Sequence, residues 1–416
     1  MGKLGLKLVV LLSAVLLAVV CQGGDNKVPE RRTGVTELPG SGFSQEGLDG
    51  IQQMMETAIT DGRITAGIAM LARDGRVAWL GTAGEMTPGI PMSDDAILPL
   101  ASVGKMFTAV AAMILYERGR ILLEDPVSKY IPEFTDVMVG VPGDDGTIKL
   151  VLPENPITIY HLLTHTGGLT VTGDDFWAAW DANVGKTTTT HLASALAAMP
   201  LFAQPGTQFR YGQTGASYEV LGAVIEIASG QTLETFMTEN IFNPLGLDDS
   251  YFYVPDEKSE RLPAVYRKVD GVLQLDRPFG EDFSRSTFFH GGGGVRTAPL
   301  DILRFARLFL EGGSVDGVQI LKAETIALMM QDHLGGMAPD RWKAKGLSWG
   351  FGAAVEYGDD DSGTDTPGTY GWVGGGFATL WVDPKQRLIA YFSFPMAPPG
   401  DNDLLNEFKK RVDAAL

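Results

Sequence analysis

Ser102 and Lys105 are the pair of side chains whose types and spacing best fit nucleophilic chemistry. Residues three apart at the start of a helix lie on one face, so the Lys105 amine can reach the Ser102 hydroxyl. The helix dipole favours an anion formed there. A lysine takes a serine proton only where burial or a nearby cation lowers the amine pKa from about 10.4. The all-apolar segment Met106–Tyr116 predicts such burial. The alternative is a helix-capping serine beside a surface lysine.

Two other patterns resemble known catalytic motifs and fit them poorly. His161 and His165 are four residues apart, but no Glu follows His161 as a zinc-protease motif requires. The run G-L-S-W-G at 346–350 has the spacing of a nucleophile elbow, which needs a strand, a turn, a helix and a later histidine. No histidine follows His333, and the residues after the run have a strand pattern. Ser348 is therefore the weaker candidate nucleophile.

The elements that must position Ser102 and Lys105 follow from hydrophobic periodicity. Helical spacing covers Gln45–Asp61, Met106–Tyr116, Ile157–Leu163, His191–Ala198, Tyr218–Ser229, Leu233–Glu239 and Leu404–Leu416. Strand patterns cover Ile68–Leu71, Val77–Leu80, Leu347–Val355, Ala378–Val382 and Leu388–Phe394. Strands near both chain ends and helices between them predict an α+β fold, with an antiparallel sheet built from both ends and a mainly helical insertion.

The N-terminal residues have the pattern of a targeting segment. Two lysines precede the apolar run Leu8–Val20, which is too short for a bilayer span of roughly 20 residues, and Cys21 follows at once. We predict a signal peptide over 1–24 and export, to the periplasm, to a membrane as a lipoprotein, or out of the cell. Cys21 resembles a lipidated cysteine that would anchor the chain, but Val20 replaces the usual small residue, so simple secretion stays open. Residues 25–44 are polar and aperiodic and predict a flexible tether.

Composition excludes several classes of partner and site. The chain carries 33 Lys and Arg against 51 Asp and Glu, a net charge of −18. Such an acidic surface repels phosphate backbones, so we expect no nucleic-acid partner. One cysteine excludes an intrachain disulfide and a cysteine-based zinc cluster.

Several blocks of the sequence resemble one known superfamily. They are S-V-G-K at 102–105 followed by E-R-G-R-I-L-L-E-D-P-V-S-K-Y-I-P-E-F, then I-T-I-Y-H-L-L-T-H-T-G-G-L at 157–169, P-G-T-Q-F-R-Y at 205–211, P-L-G-L at 244–247 and G-G-G-V-R-T-A-P-L-D at 292–301. In this order they resemble the serine β-lactamase, DD-peptidase and esterase superfamily, from about residue 45 to the C-terminus. The resemblance implies a β-lactamase/transpeptidase-like fold. Its sheet subdomain would cover about 45–110 and 285–416, and its helical subdomain about 111–284.

The resemblance also implies roles for individual residues. Ser102 and Lys105 match the nucleophile and its partner. Tyr211 falls in Y-G-Q, where the superfamily has Y-x-N, and would shuttle protons with Lys105, because a nearby ammonium stabilises a phenolate. Gln213 replaces the usual Asn of that motif and would contact Lys105 or the substrate.

The third superfamily motif bears on the substrate. Where β-lactamases and peptidases usually have K-T-G or H-T-G, the chain reads G-W-V-G-G-G-F at 371–377. Trp372 carries no cation for a substrate carboxylate and resembles the W-G-G of family VIII carboxylesterases, which are related to class C β-lactamases. Val373 is an insertion relative to W-G-G, but a glycine is kept two positions after the Trp. The resemblance implies that Trp372, Gln213 and Gly374 would contact the substrate. The backbone N–H groups of Ser102 and Gly375 would form the oxyanion hole.

The resulting prediction is a serine hydrolase that cleaves carboxylic esters of short chain length, as small-molecule substrates, through an acyl-enzyme on Ser102. An aromatic wall at Trp372 favours neutral esters over carboxylated lactams. No cofactor or metal is expected. Two alternatives stay open: a β-lactamase or DD-peptidase acting on carboxylated amides, and a non-catalytic binding module on the same scaffold.

Overall fold

The computed structural model describes residues 36–37, 40–144, 146–170, 174–184, 186–212, 216–282, 286–357 and 366–416. All of them belong to the unit Arg32–Leu416. The predicted signal peptide 1–24 with Cys21, most of the predicted tether 25–44, and Gln213 lie outside the described residues. Within the described ranges, no helix is long and apolar enough to cross a membrane.

The strands of the largest sheet come from the two ends of the described chain, and shorter strands lie among the helices between them. The strands are β1 (Thr36–Glu37), β2 (Ala66–Arg73), β3 (Arg76–Thr87), β4 (Ile90–Pro91), β5 (Leu98–Pro99), β6 (Val139–Pro142), β7 (Ile148–Val151), β8 (Ser250–Tyr251), β9 (Val265–Val269), β10 (Val272–Arg277), β11 (Arg296–Thr297), β12 (Ser314–Val315), β13 (Val318–Gln319), β14 (Leu347–Trp349), β15 (Ala354–Glu356), β16 (Tyr370–Gly374), β17 (Ala378–Asp383) and β18 (Leu388–Ser393). The α-helices are α1 (Gln45–Thr60), α2 (Lys105–Glu117), α3 (Ile159–Leu163), α4 (Asp174–Asn183), α5 (Thr189–Ala197), α6 (Ala216–Ser229), α7 (Leu233–Met237), α8 (Asn243–Leu245), α9 (Pro299–Leu310), α10 (Ala323–Met329), α11 (Asp340–Lys343) and α12 (Asn402–Ala415).

The central sheet has nine strands in the order β1-β3-β2-β18-β17-β16-β15-β14, with β4 paired to β3. Strand β18 joins the two ends of the chain, because it pairs antiparallel with β2 from Leu388 opposite Arg73 to Ser393 opposite Ile68. The β2–β3 hairpin turns at Asp74 and Gly75, which both have positive φ. The predicted α+β fold, with an antiparallel sheet from both chain ends and helices inserted between them, is confirmed.

Helices cover both faces of the sheet. Phe392 of β18 packs on Phe408 of α12, with ring centroids 5.1 Å apart. Tyr370 of β16 packs on Phe309 of α9, with ring centroids 4.8 Å apart. Tyr370 pairs with Val382, and Val382 pairs with Ile389, so these three side chains point to the same face of the sheet. Successive residues of a strand alternate between faces, so Phe392, three positions after Ile389, points to the other face. Every residue of β18 is accordingly buried.

The predicted first helix is present as α1, and it begins where the periodicity indicates. Ser44 caps it by accepting a hydrogen bond from the Gly47 N–H, and the Ser44 N–H donates to Ala415 O at 2.8 Å. Upstream, Thr36 and Glu37 pair with Leu80 and Trp79 of β3. Part of the segment predicted as a flexible tether is therefore an edge strand of the sheet.

The predicted strand Leu347–Val355 is two strands, which corrects the sequence prediction. β14 and β15 form a hairpin, with Leu347 opposite Glu356. Between them, Gly352 has a φ of +100°, and a Cβ on Gly350 would lie 2.3 Å from Met329 O. A continuous strand cannot take this tight turn, which only glycine accommodates.

A small sheet brings distant segments to the start of α2. β11 pairs with both β5 and β8, and the Leu100 N–H donates to Val295 O at 3.0 Å. The residues that precede β11 therefore run beside the turn that leads into α2. All residues of α2 from Lys105 to Leu115 are buried, so the helix is a rigid base for that turn.

Candidate active site

Ser102 lies in the 3-10 turn Ala101–Gly104, directly before α2. Ala101 has a φ of +44°, a left-handed conformation that a residue with a Cβ rarely adopts. Backbone strain of this kind persists only where surrounding structure enforces it, and it clusters at functional sites. The turn gives the predicted pair its geometry, because Lys105 Nζ donates a hydrogen bond to Ser102 Oγ at 2.9 Å.

Lys105 is buried, with 1% of its surface exposed. Besides Ser102, its Nζ donates to the backbone carbonyl of Gly292 at 2.8 Å. Nζ also lies 5.2 Å from the centroid of the Tyr211 ring and 5.7 Å from that of Tyr218. The burial predicted for this lysine is thus present, and two hydrogen bonds orient the amine between the serine and a glycine-rich loop.

Tyr211 and Trp372 come together although 161 positions separate them in the sequence. The Trp372 indole N–H donates to the Tyr211 hydroxyl at 2.9 Å. Trp372 belongs to β16 and is partly exposed, and its ring also packs edge-on against the buried ring of Trp349. Trp342 of α11 adds a further ring, 5.5 Å from Trp372. The indole therefore both contacts the phenol and forms part of an aromatic wall.

The glycines after Trp372 pass close to the nucleophile turn. A Cβ on Gly374 would lie 2.0 Å from Leu100 O and 3.1 Å from the Ser102 nitrogen. Gly375 follows with a φ of +57°, which favours glycine. This close approach brings the end of β16 against the Ser102 backbone, where the sequence predicts the oxyanion hole. The roles of Gly374 and Gly375 stay predictions.

Ser348 has the environment of a structural residue. It lies in β14, is fully buried, and donates a hydrogen bond to Asp332. Burial alone would raise the Asp332 pKa, but the hydrogen bonds from Ser348 and from the backbone of Gly335 and Leu334 outweigh it and lower that pKa. The Ser348 hydroxyl is therefore buried and bonded to a carboxylate, so it is not open to a substrate. The turn after β14 leads to strand β15, whereas a nucleophile elbow leads to a helix.

His165 lies in the wall of the site, although no role there was assigned to it from the sequence. Its ring centroid is 4.8 Å from that of Tyr211 and 5.2 Å from that of Trp349. Burial and the nearby charge of Lys105 hold the His165 pKa well below its usual range, so the ring is neutral at pH 7. The sequence signal for this placement was the block at 157–169, which resembles the superfamily and for which no role was implied.

Comparison with known proteins identifies the family. The model of the Beta-lactamase family matches residues 51–412. The chain belongs to this family. A lovastatin esterase of Penicillium rubens is 30% identical over 346 residues, covering 77% of this chain and 84% of the esterase. Esterase EstB of Burkholderia gladioli is 28% identical over 365 residues, covering 80% of this chain and 86% of EstB.

A solved structure with a similar fold supports the same assignment. EstCE1, described as a hydrolase with promiscuous acyltransferase activity, matches with a TM-score of 0.75 and 27% sequence identity, over 89% of this chain and 99% of EstCE1. Family and neighbours together indicate a serine hydrolase or acyltransferase of the β-lactamase fold.

Proposed function

We propose that this member of the Beta-lactamase family cleaves carboxylic esters through an acyl-enzyme on Ser102. The observation that carries the proposal is the position of Trp372, whose indole N–H is bonded to the Tyr211 hydroxyl beside the Ser102–Lys105 pair. An aromatic ring occupies the place where the superfamily usually has a cation. A neutral acyl or alcohol group packs well against such a surface, whereas a carboxylate would lose its hydration without gaining a countercharge.

The first half of the proposed reaction uses the groups around Ser102. With its amine neutral, Lys105 takes the Ser102 hydroxyl proton as Oγ bonds to the ester carbonyl carbon, and the carbonyl π electrons move to oxygen. The N–H groups of Ser102 and Gly375 hold that oxyanion. The intermediate collapses, the bond to the alkoxide breaks, and the leaving oxygen takes a proton relayed from Lys105 through the Tyr211 hydroxyl.

In the second half, water releases the acyl group. The Tyr211–Lys105 pair accepts one proton from water as the water oxygen bonds to the acyl carbon. The bond between that carbon and Ser102 Oγ then breaks, and Oγ takes the proton back from the pair. The Trp372 N–H supports this exchange, because a donor at the phenol oxygen fixes the orientation of the Tyr211 hydroxyl as the proton moves.

The test compares the full chain with Ser102→Ala and Ser348→Ala on a short-chain p-nitrophenyl ester and on a chromogenic cephalosporin. We expect Ser102→Ala to lose at least about 10³-fold in kcat for the ester, and Ser348→Ala to keep activity of the same order as the parent. Cephalosporin cleavage should be much slower than ester cleavage.

Three outcomes would contradict the proposal. A cephalosporin hydrolysed far better than the ester would favour the β-lactamase or peptidase alternative. Full ester activity in Ser102→Ala would remove Ser102 as nucleophile. Saturable binding of either compound without turnover would identify a non-catalytic binding module.

We also propose, from the residues before Gln45, that the protein is exported, with or without a lipid anchor at Cys21. The intact mass of the mature protein tests this. Cleavage after residue 20 with added acyl chains would indicate the anchor, cleavage without them would indicate simple secretion, and an uncleaved chain would contradict the predicted signal peptide.

A further inference from the structure

Glu219 is a buried carboxylate that the proposed mechanism does not use. None of its surface is exposed. Its Oε1 accepts hydrogen bonds from the Gly292 N–H at 2.8 Å and from the His290 ring nitrogen Nδ1, and its Oε2 accepts from the Gly291 N–H at 3.1 Å. A buried carboxylate is costly unless such partners satisfy it, so these contacts hold Glu219 and the loop together.

The loop held by Glu219 is the one that contacts Lys105. The Gly292 carbonyl accepts from Lys105 Nζ at 2.8 Å, and the Gly291 carbonyl accepts from Thr108 Oγ1 at 2.6 Å. Glu219 thus binds the N–H of the same residue whose carbonyl binds the lysine.

Close packing fixes the loop between two elements. A Cβ on Gly291 would lie 2.4 Å from Tyr218 O in α6, and one on Gly293 would lie 2.8 Å from the Ala101 carbonyl carbon in the nucleophile turn. The loop therefore spans the gap between the helix that carries Glu219 and the turn that carries Ser102. A shift of the loop would move the hydrogen-bond acceptor of Lys105.

We infer that Glu219 and His290 are positioning residues that aim the Lys105 amine at Ser102 through the Gly292 carbonyl. A neutral amine has two N–H bonds and one lone pair. In the structure Nζ donates to both the Gly292 carbonyl and Ser102 Oγ. In the neutral amine, the bond to Gly292 restricts rotation about the terminal C–N bond and keeps the nitrogen beside Ser102 Oγ, so the lone pair can take the place of the second N–H and accept the serine proton. The inference rests on the proposed role of Lys105 as base, and it does not depend on the substrate being an ester.

His290 gives the sharper test of the two residues. Its side chain is 32% exposed, whereas that of Glu219 is inaccessible, so substitution at 290 leaves the buried carboxylate in place. The ring packs against Trp180 and Phe288, with centroids 5.7 and 6.1 Å away. Phe at this position keeps an aromatic ring but donates nothing to Glu219, and Asn keeps a donor close to the position of Nδ1.

The experiment measures two rates in the full chain for the parent, His290→Phe and His290→Asn. One is ester turnover, resolved into kcat and KM. The other is labelling of Ser102 by a fluorophosphonate, followed by mass spectrometry. In the labelling step the Oγ–P bond forms, the P–F bond breaks, fluoride leaves, and the serine proton passes to Lys105, so the rate reports the activation of Ser102 without an ester. His191→Phe, on the exposed side of α5, is the matched control.

We expect His290→Phe to reduce kcat and the labelling rate by about tenfold to a hundredfold with KM within about threefold, because a misaimed base affects the reaction more than binding. His290→Asn should stay within about threefold of the parent in both rates, and His191→Phe should match the parent. Equal losses in His290→Phe and His290→Asn, parental rates in His290→Phe, or a loss confined to KM would overturn the inference.

The two rates also separate this inference from the proposed function. If Ser102 of the parent is labelled but no ester is hydrolysed, ester cleavage is wrong, and the labelling rates of the His290 variants still decide the positioning role. If Ser102 of the parent is not labelled, Lys105 does not activate it, and the inference is wrong as well.

Discussion

Lys105 Nζ makes two hydrogen bonds, one to the nearby Ser102 side chain and one to the distant Gly292 carbonyl. Ser102 and Lys105 are recognisable because three positions separate them at the start of one helix, and the structure places their side chains 2.9 Å apart. The Gly292 carbonyl was not predicted as a partner of Lys105. It is a backbone group, 187 residues away, and any residue type carries such a carbonyl, so the sequence holds no signal for it.

The Trp372–Tyr211 hydrogen bond gives a prediction at the residue scale. Trp372→Phe removes the N–H that binds the phenol oxygen and keeps an aromatic wall. One hydrogen bond contributes about 0.5 to 1.5 kcal/mol, which corresponds to about twofold to twelvefold. We expect kcat for the ester to fall within that range while KM changes less. Trp342→Phe is the matched control from the same wall, and a kcat loss as large as that of Trp372→Phe would argue against a role for the indole N–H.

At the scale of elements, periodicity predicted the first and last long helices but missed α9 and the hairpin β9–β10. The pattern over Gln45–Asp61 corresponds to α1, and that over Leu404–Leu416 to α12. Helix α9 was not assigned from the sequence, although Pro299 in its first turn is a common helix start. The hairpin β9–β10 was also missed, because it interrupts a stretch in which helical patterns dominate. Short strands depend on their partners more than on their own pattern.

The end of β16 gives a prediction at this scale. Gly374→Ala would place a methyl group 2.0 Å from Leu100 O, so the strand or the nucleophile turn must move. We expect a lower melting temperature and a kcat loss of about tenfold or more, since displacement near 1 Å at a catalytic group has effects of this size. Gly336→Ala is the control, because a Cβ there meets no atom within 4 Å. Parental activity in Gly374→Ala would show that this close approach is unimportant for catalysis.

At the scale of the whole molecule, an ion pair connects the two ends of the fold. Arg63 follows α1, and Asp401 caps α12; Nε and one Nη of Arg63 donate to the two Asp401 oxygens at 2.8 Å each. The Arg63 hydrogen bond lowers the Asp401 pKa, with burial opposing it. Asp401 also accepts from the Leu404 N–H, a capping role that Asn can retain.

Asp401→Asn isolates the charge of this pair. A depressed carboxyl pKa stabilises the fold above the unfolded value of about 3.9, and this stabilisation is lost as pH falls through the folded pKa. We therefore expect the variant to unfold at lower denaturant concentration than the parent at pH 7, and the difference to shrink below about pH 4. Asp340→Asn, at an exposed carboxylate of α11, should show no such dependence. A parent–variant difference that is constant from pH 7 to pH 3 would exclude the ion pair as its cause.

The pairing of β2 with β18 also determines the order in which this chain can fold. The edge of β2 that faces β18 has no partner until β18, the last strand of the sheet, has been synthesised. The ring of Phe392 in β18 is covered only when α12 has followed. Contacts between residues so distant in sequence close slowly, and an open strand edge pairs readily with other chains. Recovery from denaturant should therefore depend steeply on protein concentration, because intermolecular strand pairing competes with arrival of the C-terminal residues.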